Sequence, residues 1–166
     1  MHTTYLIAGT RTPFVKAGTA FAKETPLTLS ALVLRAMASE TRPDLIVWGQ
    51  VIPSPTYSNI AREASLDAGL DAPIPSYSTQ LACSTSMAGA IQAAGMLGRG
   101  GIDVALVGGV EQMGRARVSL TDDASARLVA LGQTDPASLP AALSALTLDE
   151  LTLPKGGWSN RISGRT

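Results

Sequence analysis

The sequence holds one cysteine and one histidine in 166 residues. A single thiol excludes an internal disulfide framework and any zinc site built on several cysteines. The histidine is His2, beside the initiating methionine, so chemistry that needs an imidazole base has almost nowhere to find one. Charged residues make up 16% of the chain and cancel to a formal charge of zero. That balance leaves no electrostatic footprint for nucleic acid or an anionic membrane surface. No apolar run approaches the roughly 20 residues of a membrane span. Met1 to Pro13 has no basic stretch leading into an apolar core, so no signal peptide is expected. No GxGxxG follows a strand and no Walker sequence occurs, so nucleotide phosphates have no motif here. These absences predict a soluble, cytoplasmic, globular chain with no metal site, no membrane span and no nucleic-acid partner.

What is present is small and apolar. Alanine occurs 25 times and glycine 16 times, against 4% aromatic residues, with hydrophobic residues at 45%. Small side chains let helices and strands approach closely, so tightly layered packing is expected. The length suits one domain, or one domain with an appendage.

From Met1 to Met113 the pattern alternates between β-type and helical runs. Thr4 to Ala8 reads as a short buried strand, stopped by Gly9 and the turn-prone Arg11-Thr12-Pro13-Phe14. Leu27 to Ser39 places Leu29, Leu32, Val33, Ala36 and Met37 on one helical face. Asp44 to Val51 is a continuous apolar run of strand length, and Ile52 to Ser58, with Pro53 and Pro55, is a loop. Asn59 to Leu70 predicts a second helix, with Ser58 or Asn59 as its cap and Gly69 near its end. Pro75 to Gln80 is a strand, and Ser84 to Gly98 a small-residue helix whose predicted inner face is Met87, Ala90, Ile91, Ala94 and Leu97. Asp103 to Gly109 is a fourth strand. Alternation at these lengths predicts an α/β layered fold with a mostly parallel sheet. After Met113 the texture changes: Ala124 to Leu131 predicts at best one short helix, prolines interrupt the rest, and Lys155 to Trp158 reads as a loop.

Cys83 is the main chemical candidate. It falls where a strand meets a helix, so unpaired helix N–H groups and the positive dipole end lie near its sulfur. Such surroundings favour the nucleophilic thiolate, whereas a lone cysteine is also commonly a small buried hydrophobe. Gly108-Gly109 admits a close ligand or ends a strand tightly. Glu111 and Asp103 are either acid/base groups or solvated strand-end carboxylates. Arg11 either clamps a phosphate or packs locally, and Met87 and Met113 read as core filler.

Taken in order, these segments resemble the thiolase family. Arg11-Thr12-Pro13-Phe14 with Lys16 is similar to the family's opening signature. Asn59-Ile60-Ala61-Arg62 and Ala68-Gly69-Leu70 resemble its second helix. Cys83-Ser84-Thr85-Ser86 falls where thiolases keep their nucleophile, with Ser86 standing where the more typical motif has glycine. Gly108-Gly109-Val110-Glu111-Gln112-Met113 resembles the Gly-Gly-x-Glu-x-Met stretch that follows. The Ala82-Cys83-Ser84 context is also similar to ketosynthases, related condensing enzymes; the opening signature and Asn59 to Arg62 favour thiolase.

The resemblance covers Tyr5 to Met113. It implies the N-terminal half of a layered αβαβα fold over 1–113, and over 114–166 the truncated beginning of the loop domain that covers coenzyme A. It implies Cys83 as the acylated nucleophile, acyl-CoA as substrate, no cofactor beyond coenzyme A as substrate, and a homo-oligomer when intact. The histidine, second cysteine and oxyanion-hole asparagine of thiolases come from the C-terminal half. The expectation is an N-terminal thiolase portion acting on 3-ketoacyl-CoA or acetyl-CoA and inactive alone. Half of a split enzyme, a non-catalytic dimerisation or acyl-CoA-binding module, and a ketosynthase-like fragment are the alternatives.

Overall fold

The computed structural model describes residues 3–115, 118–152 and 162–163. They fall into two compact units, 3–115 with Ile162 and Ser163, and 118–152.

The first unit is organised by a run of residues with no polar face. In β1 (Leu45–Gly49) every residue is buried, as expected of a strand with neighbours on both edges and layers on both faces. β1 pairs in parallel with β2 (Ser76–Thr79) and with β3 (Ala105–Gly109), giving the order β2-β1-β3. Alternate side chains serve alternate layers. Ile46 and Trp48 join the core made by α1 (Pro26–Ala38) and α2 (Ile60–Asp67), with Leu34, Ile60, Ala61 and Ala64. Leu45 and Val47 meet Ala93 of α3 (Thr85–Leu97) on the other face. The mixed α/β class and the parallel sheet agree with the sequence expectation.

Local chemistry fixes the helix ends. Thr25 and Thr28 cap α1 reciprocally, each backbone N–H donating to the other's hydroxyl. Asn59 Oδ1 accepts the Arg62 N–H at 3.1 Å at the start of α2. Beyond its end Gly69 takes φ 78°, and the Leu70 N–H reaches back to the Ser65 carbonyl at 3.0 Å. This left-handed closure is one that glycine accepts without steric cost. At the N-terminal end of the sheet the Asp44 carboxylate accepts the Asp103 and Val104 N–H groups at 2.9 and 3.0 Å, joining β1 to β3.

Three expectations are corrected. Thr4 to Ala8 forms no strand: it pairs with no described strand, and Tyr5, Leu6 and Ile7 are exposed beside an apolar cleft of about 810 Å³ along β3. A β-run without a partner ladder has nothing to satisfy its backbone. The sheet-facing side of α3 is Thr85, Gly89 and Ala93, whereas Met87 and Ile91 are 67% and 69% exposed. Size decides this face, since a Cβ on Gly89 would sit 3.1 Å from both Val47 and Val107. Met113 is likewise exposed, so neither methionine fills the core.

The second unit is more ordered than its proline spacing predicts. β4 (Ser119–Leu120) pairs antiparallel with β5 (Leu151–Thr152), and α4 (Asp122–Thr134) and α5 (Leu139–Ser144) lie between them in sequence. Arg127 and Glu150 form an ion pair at 2.5 Å. The Thr147 N–H and then Arg127 hold the Glu150 carboxyl below its usual range. His2 and the predicted loop at Lys155 to Trp158 lie outside the described residues.

Candidate active site

The three parallel strands end together at Gly49, Thr79 and Gly109. Carboxyl ends of parallel strands are where open α/β sheets gather ligands. Here the head of α3 is pressed against those ends, and glycine is what lets it approach. A Cβ on Gly49 would overlap the Thr79 carbonyl and the Thr85 methyl. One on Gly109 would lie 2.7 Å from Ser86 Oγ, and one on Gly108 would overlap the Trp48 ring. The Gly108-Gly109 pair therefore serves packing: the space is occupied by Trp48 and Ser86.

Cys83 lies in the short turn between β2 and α3, exposed and unpaired with any other cysteine. Its exposure excludes the buried-hydrophobe alternative. The residue before it, Ala82, has φ 45°, the only positive φ at a non-glycine among the described residues. Such a conformation costs a residue with a Cβ roughly 1–2 kcal/mol. The turn is closed by the Ser84 N–H donating to the Leu81 carbonyl at 2.9 Å. The buried Thr85 hydroxyl accepts the Leu81 N–H at 2.9 Å and donates to the Ala82 carbonyl at 2.7 Å. Unlike α1, α2 and α4, α3 has no side-chain cap. The partial positive charge of its first turn faces the segment carrying Cys83 without a neutralising oxygen from its own N-cap, Ser84.

The other motif residues brace this turn. Asn59 Nδ2 donates to the Ser76 carbonyl at 3.0 Å, and the Ser78 hydroxyl donates to Asn59 Oδ1 at 2.9 Å, so the cap of α2 also grips β2. Arg62 donates to the Ala72 carbonyl at 2.6 Å, fixing the approach to that strand. The Glu111 carboxylate accepts the Val51 and Ile52 N–H groups at 2.8 and 3.3 Å, while Gln80 Nε2 donates to the Val51 carbonyl at 2.8 Å. Glu111 is therefore a brace between the ends of β1 and β3. Gln112 is buried and donates to the Phe21 carbonyl at 2.6 Å, tying the end of β3 to the segment before α1.

The remaining candidates are not brought to Cys83. Arg11 lies 4.7 Å over the Phe14 ring and donates to the Thr12 carbonyl, which is the local-packing alternative. Asp103 is exposed at the opposite end of the sheet, its backbone N–H bound by Asp44. Among the described residues no cluster of three or more His, Cys, Asp or Glu is arranged to hold a metal ion, and no helix is long and apolar enough to cross a membrane. Sequence reasoning passed over Thr85 and Gln80 as individuals. The available signal was position, a hydroxyl two residues after the cysteine and an amide three before it.

Comparison with known proteins gives a consistent result. A family profile described as "Thiolase, N-terminal domain" matches residues 4–147. The 3-ketoacyl-CoA thiolase of Vibrio cholerae serotype O1 is 32% identical over 134 residues, covering 78% of this chain and 31% of that protein. The 3-ketoacyl-CoA thiolase of Shewanella sp. (strain ANA-3) is 38% identical over 111 residues, covering 64% and 26%. Among solved structures, the Bacillus anthracis acetyl-CoA acetyltransferase superposes with a TM-score of 0.61 at 28% identity, over 64% of this chain and 28% of that one. The chain spans about a quarter to a third of the length of the curated relatives it matches.

Proposed function

The chain belongs to the thiolase family, matching its N-terminal domain, and from that premise we propose that it supplies the acyl-accepting thiol of a thiolase-type acyltransferase, with Cys83 as nucleophile and a 3-ketoacyl-CoA or acetyl-CoA as substrate. The observation that carries this reading is the exposed Cys83 at the uncapped head of α3, within the strand ends that the family's motif residues brace.

In this reading the Cys83 thiolate adds to the C3 carbonyl of the 3-ketoacyl-CoA. The tetrahedral oxyanion collapses with cleavage of the C2–C3 bond, and the electron pair leaves as the acetyl-CoA enolate, which takes up a proton. The thiol of a second coenzyme A, giving up its proton to a base, then takes the acyl group from Cys83, whose sulfur leaves as thiolate. Both proton transfers need a positioned acid or base. Cys83 is the one cysteine and His2 the one histidine of these 166 residues, so this chain is assigned acylation and no turnover by itself. Residues 114–166 are read as the beginning of the loop domain that covers coenzyme A, and the separate compact unit at 118–152 supports that reading. A cytoplasmic location and association of copies belong to the same proposal.

The test incubates the 166-residue chain with acetyl-CoA and, separately, with acetoacetyl-CoA plus coenzyme A, using Cys83→Ala as control. The expected results are one acetyl group per chain on Cys83 by intact mass and peptide mapping, and no thiolysis above the control. Turnover above the control shows a base within these residues. An unacylated Cys83 sinks the assignment.

A further inference from the structure

We infer that Thr85 is the positioning residue for Cys83, holding the strained turn that presents the thiol at the head of α3. The inference rests on Cys83 being the acylated thiol and concerns how the fold keeps it in place.

A turn with Ala82 at φ 45° does not persist unless its surroundings over-determine it. Glycine would take that conformation freely, and alanine does not. The Ser84 and Thr85 N–H groups donate to the Leu81 and Ala82 carbonyls at 2.9 and 3.2 Å, and one side chain adds to that backbone closure. The Thr85 hydroxyl accepts from the Leu81 N–H at 2.9 Å and donates to the Ala82 carbonyl at 2.7 Å, tying the Gln80–Leu81 peptide to the Ala82–Cys83 peptide. Both hydrogen-bonding roles of the hydroxyl are used, and Thr85 is only 5% exposed. Its position is fixed in turn by its methyl group, which occupies the space left by the absent Cβ of Gly49. Gly49 ends the central strand, so the sheet locates the methyl, the hydroxyl locates the turn, and the turn locates Cys83. Serine preserves the hydroxyl and loses the methyl seat; valine preserves the shape and loses both hydrogen bonds.

The experiment measures alkylation of Cys83, the chain's one thiol, by iodoacetamide at pH 7 in the full 166-residue chain. The readout is the rate in the folded chain divided by the rate in the same chain unfolded in urea, which removes intrinsic thiol reactivity from the comparison. Circular dichroism melts establish that each variant is folded. The expected result is a wild-type ratio above one, a fall of about tenfold in Thr85→Val, where both side-chain hydrogen bonds to the turn are lost, and a value within about twofold of wild type in Thr85→Ser, where the hydroxyl bonds are kept. A wild-type ratio at or below one overturns the Cys83 reading itself. A wild-type ratio above one that Thr85→Val leaves unchanged overturns the positioning role alone. Equal losses in the serine and valine variants also overturn it, because the loss then follows packing. Ala82→Gly, made with and without Thr85→Val, is the second measurement. Glycine relieves the strain that the hydroxyl restrains, so it restores a large part of the ratio lost by Thr85→Val. No restoration, or failure of the valine variant to fold in either background, overturns the assignment.

Discussion

The Trp48 indole N–H donates to the Ser30 hydroxyl at 2.9 Å, a buried hydrogen bond between the middle strand of the sheet and α1. Ser30 is fully buried, and its hydroxyl donates onward to the Pro26 carbonyl at 2.7 Å. Ser30→Ala leaves the Trp48 indole donor without its partner in the core. The expected cost is about 1–3 kcal/mol, read as a lower urea midpoint at unchanged slope.

Gly108→Ala and Gly101→Ala separate packing from chain entropy. A methyl at 108 overlaps the Trp48 ring, whereas one at 101 meets nothing within 4 Å. The first is expected to destabilise by about 1–3 kcal/mol or more, the usual range for overpacking a filled core. The second is expected to stay within about 0.5 kcal/mol of wild type. Thermal melts of the two variants side by side decide the matter.

Acid should weaken the chain in part through Asp44. The Asp103 and then the Val104 N–H groups, with Arg42 nearby, hold its carboxyl below the ordinary value of 3.8. Because the folded-state value lies below the unfolded one, the unfolded chain binds the proton first as pH falls. The contribution is complete above the ordinary value and is lost as pH drops through the depressed one. Glu150 carries the same sign. Melting temperature should fall in that acid range, and Asp44→Asn should flatten the fall while lowering stability at pH 7.

Met87 and Ile91, one turn apart on α3, face outward. Together with Tyr5, Leu6, Ile7 and Phe14 they leave much apolar surface uncovered, and a formal charge of zero adds little repulsion between copies. The 166-residue chain is expected to bind a hydrophobic dye and to associate by light scattering. The double variant Met87→Lys and Ile91→Lys should reduce both, with stability changed by no more than about 0.5 kcal/mol per site. Undiminished dye binding would locate the exposed surface elsewhere.

Much of this fold was legible because its strongest signals are local. Leu45 to Trp48 reads as a buried strand since a central parallel strand needs no polar alternation, and Asn59 and Gly69 mark the ends of α2 by capping chemistry. The inner face of α3 was illegible because hydrophobicity does not choose it. Gly89 and Ala93 face the sheet because nothing larger fits, and Met87 and Ile91 are left outside. Thr4 to Ala8 has strand composition without a strand partner among the described residues, which only the three-dimensional pairing shows. For the candidate site, the position of Cys83 between strand and helix was readable. The grip of Thr85 and Glu111 was not, because their partners are backbone groups, which every residue carries and no side-chain pattern marks.

Val51 is held on both its sides, its N–H by Glu111 after β3 and its carbonyl by Gln80 after β2. The two amide planes flanking Val51 thus work as a crosspiece between the tips of the two outer strands. The loop from residue 53 to residue 56, which ends before Tyr57 packs on the core, should therefore accept changes of length and composition without disturbing the turn at Cys83, which makes it a place for an engineer to graft a tag.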